Sequence, residues 1–156
     1  MKTLTTELQS IIATFSQRIA EIPEADFSAK PNPTKWSKKE VLGHLIDSAE
    51  NNLRRFICGQ YEMNPKIRYD QIFWVIANDY LNAPSIEVIT NWKLINLKIC
   101  RVLNAMPKEN YSTNCDTGKD SPNLHSIEWL AIDYVKHLKH HLNQIIPKSF
   151  DIVYPS

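Results

Sequence analysis

The chain has 156 residues, 43% hydrophobic and 22% charged, with a formal net charge of +1. That length suits one domain over 1–156 with a sizeable core, and the balanced charge gives no broad field for a polyanion, which argues against nucleic acid as a partner. Only three glycines occur, Gly43, Gly59 and Gly118; they cannot form a GxGxxG or GxxxxGK[ST] phosphate loop, and they disfavour a turn-rich all-β fold.

From the N-terminus, Leu4, Leu8, Ile11, Ile12, Phe15 and Ile19 recur at helical spacing and predict a first helix over about 3–22, ended by Pro23. "MKTLTTELQSIIATF" lacks a continuous apolar leader region, and no segment approaches the length of a membrane span. The three cysteines, Cys58, Cys100 and Cys115, are odd in number and form no CxxC. A soluble protein in a reducing cytoplasm is therefore expected. Cys58 and Cys100 fall in apolar helices and read as buried, Cys115 in a polar loop as exposed.

After the proline-punctuated "EADFSAKPNPTKW", Ser37 and Glu40 form a capping-box pattern that opens a second helix. Leu42, Leu45, Ile46, Ala49, Leu53, Phe56 and Ile57 make its apolar arc, and Gly59 is a C-terminal stop. A long connection follows, with a short helix expected at about 68–80. Such connections are often functional, and Tyr69, Asp70 and Trp74 are candidates to edge a pocket.

Ser85 reads as the cap of a third long helix over about 86–106, carrying Ile89, Trp92, Leu97 and Val102. "KENYSTNCDTGKDSPN" is polar and irregular. Ser126 opens a last helix through Trp129, Leu130, Tyr134, Leu138 and Ile145, stopped by Pro147. The tail "KSFDIVYPS" suits an extended arm. Four long amphipathic helices without a strand signal predict an all-α four-helix bundle.

"DYVKHLKHHLNQI" holds three of the five histidines. With Ile127 at zero and roughly 100° per residue, His141 falls inside the apolar stripe and His137 at its edge. His140 points away with Lys136 and Asn143 and reads as solvated. His137 and His141 are i, i+4 neighbours whose rings can converge on one cation; the same pattern also fits an amphipathic helix with a histidine at its boundary. A metal site needs a ligand from another helix. His125 reads as a loop or capping residue. His44, in "GHLID", sits roughly 60° beyond Val41 at the edge of its arc, where a partly exposed histidine is a competing reading; Gly43 beside it permits close backbone approach.

"PNPTKWSKKEVLGHLIDSAENNLRRF" and "DYVKHLKHHLNQI" together resemble the DinB-like superfamily, which includes damage-inducible DinB proteins and metal-dependent thiol S-transferases. "YDQIFWV" is similar to the same family. The resemblance implies a four-helix bundle holding one divalent metal through His44, His137 and His141, and it implies a homodimer. Many relatives continue H-H-R-G-Q where this chain has His141, Leu142, Asn143 and Gln144, so the arginine and glycine are absent.

Three neutral imidazoles leave a cation open positions, where it can lower the pKa of water or ionise a thiol. Zinc is the first expectation, with nickel or iron suited to the same donors. The expected activity is transfer of a low-molecular-weight thiol to a small-molecule substrate. The alternatives are a hydrolase of a small amide or ester, and a non-catalytic stress-response bundle. Asp47, one turn after His44, and Gln144, three after His141, are the candidate catalytic groups. Glu40 and Asp133 are further candidates to support the rings, and a solvated helix face is the plainer reading of Glu40 and Asp47.

Overall fold

The computed structural model describes residues 1–155. Six α-helices occur in the order α1 (Lys2–Ala20), α2 (Glu24–Phe27), α3 (Lys38–Cys58), α4 (Gln71–Ala77), α5 (Ser85–Ala105) and α6 (Ile127–Ile145). A 3-10 turn at Lys108–Ser112 and two short strands, β1 (Asn114–Asp116) and β2 (Leu124–Ser126), separate α5 from α6. The four long helices form the bundle. α3 packs on α5 and α6, and α1 closes the ring against the same two.

The apolar residues that set the helical period are the ones buried. Leu8, Ile12 and Phe15 of α1 meet Leu42, Leu45 and Phe56 of α3, Trp92 and Ile99 of α5, and Leu130, Leu138 and Leu142 of α6 in one cluster. Each fully buried side chain of this size contributes about 1.5–3 kcal/mol. Among the described residues, no helix is long and apolar enough to cross a membrane.

The start of α3 is fixed as its sequence implies. Ser37 Oγ accepts from the Glu40 backbone N–H at 3.2 Å, and the Ser37 N–H donates back to Glu40 Oε2 at 2.8 Å. Lys30 bridges the other Glu40 oxygen at 2.9 Å. Glu40 is therefore buried in the cap rather than solvated. Gly59 does end α3, in a right-handed conformation. Its lack of a side chain matters for space: a Cβ there would lie 2.8 Å from Cys115 Sγ.

Several expectations are corrected. Pro84, not Ser85, occupies the cap of α5, and Ser85 Oγ donates to Glu24. The polar region before α6 is not irregular throughout: Asn114, Cys115 and Asp116 pair with Ser126, His125 and Leu124 as an antiparallel ribbon. Ile67 N–H donates to Asp116 O, and Asp116 N–H to Pro65 O, tying the long connection to this ribbon. Cys115 is consequently buried, whereas Cys58 is half-buried. His125 lies in β2 and stacks on Trp129 with ring centroids 3.8 Å apart.

Candidate metal centre

α3 turns an unusually polar face into the bundle: His44, Asp47, Ser48, Asn51 and Asn52 are all buried. Polar groups in such a place need partners. α6 supplies some of them. His137 and His141, one turn apart, bring their rings to His44, with centroids 5.2 and 4.7 Å from it and 4.5 Å from each other. One nitrogen of each ring lies within 4.8 Å of one nitrogen of the others. Among the described residues no cysteine or carboxylate joins this cluster.

His44 Nε2 and His137 Nε2 are 3.3 Å apart. Bonds of about 2.0–2.1 Å to a tetrahedral zinc put two nitrogens roughly 3.3–3.4 Å apart, so this pair already has the separation that a shared cation imposes. The outer nitrogens decide which atoms face inward. His141 Nδ1 donates to Gln144 Oε1 at 3.1 Å, which leaves Nε2 with a free lone pair. The Gln144 amide nitrogen lies 3.3 Å from His140 Nε2, so this side chain bridges the two rings. His137 Nδ1 lies 3.4 Å from Ser48 Oγ. His44 Nδ1 is buried without a partner, and the Trp36 indole packs on that ring at 5.2 Å.

Burial holds all three rings neutral. It lowers His44 to about 4, with help from His141. It lowers His137 to about 2, reinforced by His141, His44 and His140. It lowers His141 too, against the Gln144 hydrogen bond. Neutral imidazole is the ligating form. The unfolded chain takes up protons near pH 6.5 that the folded chain refuses, so the rings' stabilising contribution is full above that pH and is lost as pH falls through about 4. Asp47 opposes this: burial raises it to about 6, so its contribution is present below 3.8 and lost as pH rises through about 6. Three rings outweigh one carboxyl. The urea midpoint of chelator-stripped protein is expected to fall between pH 7 and pH 5; an unchanged or higher midpoint at pH 5 contradicts the assignment.

Asp47 Oδ1 accepts from Tyr80 Oη at 2.6 Å and Asn78 Nδ2 at 2.9 Å, while Oδ2 is buried without a partner. The carboxylate is thus buried rather than solvated, and its partners come from the connection between α4 and α5 instead of from the rings. Asp133 accepts from Tyr154 Oη at 3.0–3.1 Å and makes no hydrogen bond to His137. Asp70 caps α4 through the Ile72 and Phe73 N–H groups. Tyr69 and Trp74 pack edge to face at 5.5 Å. His140 is half-buried rather than solvated, lying between Gln144 and the Tyr154 ring at 5.7 Å.

Sequence reasoning missed Trp36, Ser48 and Tyr154. Ser48 follows His44 by four residues and shares its face, which is the one signal that was available. Trp36 and Tyr154 sit on irregular segments, where no periodicity announces direction.

Residues 7–145 match the DinB superfamily. The chain belongs to the DinB superfamily. Among solved structures, this DinB-superfamily chain is similar to YfiT from Bacillus subtilis, described as a probable metal-dependent hydrolase with an unusual four-helix bundle topology. The two superpose with a TM-score of 0.81 at 21% identity, over 92% of this chain and 82% of YfiT. That likeness shows the fold. No curated protein sequence matches the chain.

Proposed function

We propose that this DinB-superfamily protein is a metal-dependent transferase that joins a low-molecular-weight thiol to a small electrophile. His44, His137 and His141 would hold a divalent cation, zinc by preference with nickel or iron suited to the same donors, and such a cation lowers the pKa of a thiol or water at its open positions. The observation that carries the reading is the 3.3 Å approach of two imidazole nitrogens from separate helices inside the bundle, with no other protein ligand competing for either.

The chain's own groups orient and shelter. Gln144 fixes the tautomer of His141, and Ser48 stands against the outer nitrogen of His137. The Trp36 and Tyr154 rings wall the cluster at 5.2 Å from His44 and 5.6 Å from His137. Asp47 anchors Tyr80 behind the ligand-bearing helix. A carboxylate base is absent from the cluster among the described residues. A thiol, with a free pKa of about 8.5, needs far less help to ionise than water at about 15.7, so this donor set suits a thiol nucleophile better. No cysteine of the chain lies in the cluster, so the thiol must be a co-substrate.

Hydrolysis of a small amide or ester is the second reading, favoured by the likeness to YfiT. The two separate experimentally. Zinc-loaded protein is incubated with a thiol panel and chlorodinitrobenzene, and in parallel with chromogenic esters and amides. Thiol-dependent conjugation that chelation abolishes supports the first reading, and thiol-independent hydrolysis the second. Metal-loaded protein inactive in both panels contradicts both and leaves a non-catalytic metal-binding bundle. The expected setting is the reducing cytoplasm, where three free cysteines are at home. A homodimer is the expected assembly, supported by the exposed Ile72, Phe73 and Ile76 of α4.

A further inference from the structure

The histidine cluster shares two walls with a cavity of about 840 Å³. Trp36, which packs on His44, and Gln144, which bonds His141, both line it. That volume is in the range of small-molecule sites. The charge of its wall is one-sided. Lys30, Lys35 and Lys38 line it with one acid, Asp26. Lys38 is paired with Asp26 at 3.1 Å, and Lys30 with Glu40 at 2.9 Å. Lys35 has no carboxylate partner among the described residues. Three ammonium groups thus meet two carboxylates, and the surplus sits on Lys35.

An unpaired surface lysine is commonplace. The setting of this one is not. Its loop is braced by a single side chain: Asn32 Oδ1 accepts from Thr34 N–H at 3.0 Å, Thr34 Oγ1 at 2.8 Å and Lys35 N–H at 3.1 Å. Pro31 and Pro33 restrict the same stretch. Trp36, Val41 and Ile72 line the same cavity and offer apolar surface. The cavity thus offers an unpaired ammonium on a backbone-braced loop together with apolar surface, which suits a ligand carrying both kinds of group.

We propose that this cavity binds a small organic anion, its anionic group paired with Lys35 and its apolar body against Trp36. That the bound anion is the substrate, held with its other end toward the histidines, rests on the function proposed above; the anion site itself does not. The probes are 1-naphthylacetate and its uncharged analogue 1-naphthylacetamide, titrated calorimetrically into the protein as purified and after chelation. The variants are Lys35→Gln and, as control, Lys93→Gln on the exposed side of α5.

The acid is expected to bind roughly tenfold more tightly than the amide with or without metal. Lys35→Gln should equalise the two, and Lys93→Gln should leave the preference intact. Equal affinities in the wild type, no binding of either probe, or a preference that survives Lys35→Gln overturns the proposal. So does a preference lost on chelation, which would place the carboxylate on the cation instead. Metal content is measured on the same samples. A Lys35-dependent preference in protein that takes up no metal sinks the metal centre and leaves the anion site standing; metal without the preference does the reverse.

Discussion

Replacing His137 with alanine is expected to abolish stoichiometric metal binding while leaving the bundle folded. Structural zinc sites are worth about 10–16 kcal/mol over four ligands, so one imidazole carries roughly 2.5–4 kcal/mol, a factor of about a hundred to a thousand in affinity. His137 is also the ring whose nitrogen stands 3.3 Å from that of His44, and removing it leaves two nitrogens on different helices. His44→Ala and His141→Ala should behave alike. Gln144→Ala, which frees the outer nitrogen of His141, should weaken binding only about tenfold. His125→Ala is the control, because that ring stacks on Trp129 outside the cluster. Metal per chain after gel filtration and competition with a chromogenic chelator report the series. Equal metal in His137→Ala and wild type contradicts the assignment.

The second large effect concerns the helix that carries His44. Glycine in a helix interior is disfavoured by about 1 kcal/mol relative to alanine, so propensity alone makes Gly43→Ala stabilising. The packing demands the opposite. A Cβ at Gly43 would stand 2.1 Å from Cδ2 of Tyr80, and its ring lies directly against the α3 backbone. That ring cannot retreat freely, because Tyr80 is buried and its hydroxyl holds Asp47 at 2.6 Å. Overpacking typically costs 1–3 kcal/mol, and a buried carboxylate losing its donor costs about as much again. Gly43→Ala is therefore expected to destabilise by about 3 kcal/mol in urea unfolding. The double variant Gly43→Ala with Tyr80→Ala should be no less stable than Tyr80→Ala alone, since the obstacle is gone. A stabilised single variant, or additive losses in the double, contradicts this packing account.

What was legible in the sequence follows from the physics of each signal. The long helices declare themselves through repetition: Leu8, Ile11, Ile12, Phe15 and Ile19 recur on one face of α1, and Ser37 with Glu40 marks the start of α3 by chemistry found in few other places. The convergence of His137 and His141 follows from helical pitch. His44 was ambiguous on the helical wheel because α3 packs against two neighbours and so buries a wider arc than one stripe. The same width explains Asp47 and Glu40, which residue type alone assigns to solvent; Tyr80, Asn78, Lys30 and the Ser37 N–H make their burial tolerable. The ribbon of β1 and β2 escaped notice because three-residue strands are too short to show alternation. Cys115 followed that ribbon inward.

The contributions of Trp36 and Tyr154 depend on where irregular backbone returns. Tyr154 reaches α6 because Asn143 clamps the arm upstream, accepting from the Ser149 and Phe150 N–H groups and donating to Phe150 O. Phe150 meanwhile stacks on Phe15 at 5.1 Å. Such contacts are fixed by tertiary packing, and no local pattern encodes them.

X-ray absorption at the edge of the bound metal addresses the heart of the account. Zinc-loaded wild type should show three imidazole nitrogens at about 2.0–2.1 Å with exchangeable oxygen donors completing the shell. A shell containing sulfur, or one with fewer than three imidazoles, would mean that the cation is not held by His44, His137 and His141 between α3 and α6.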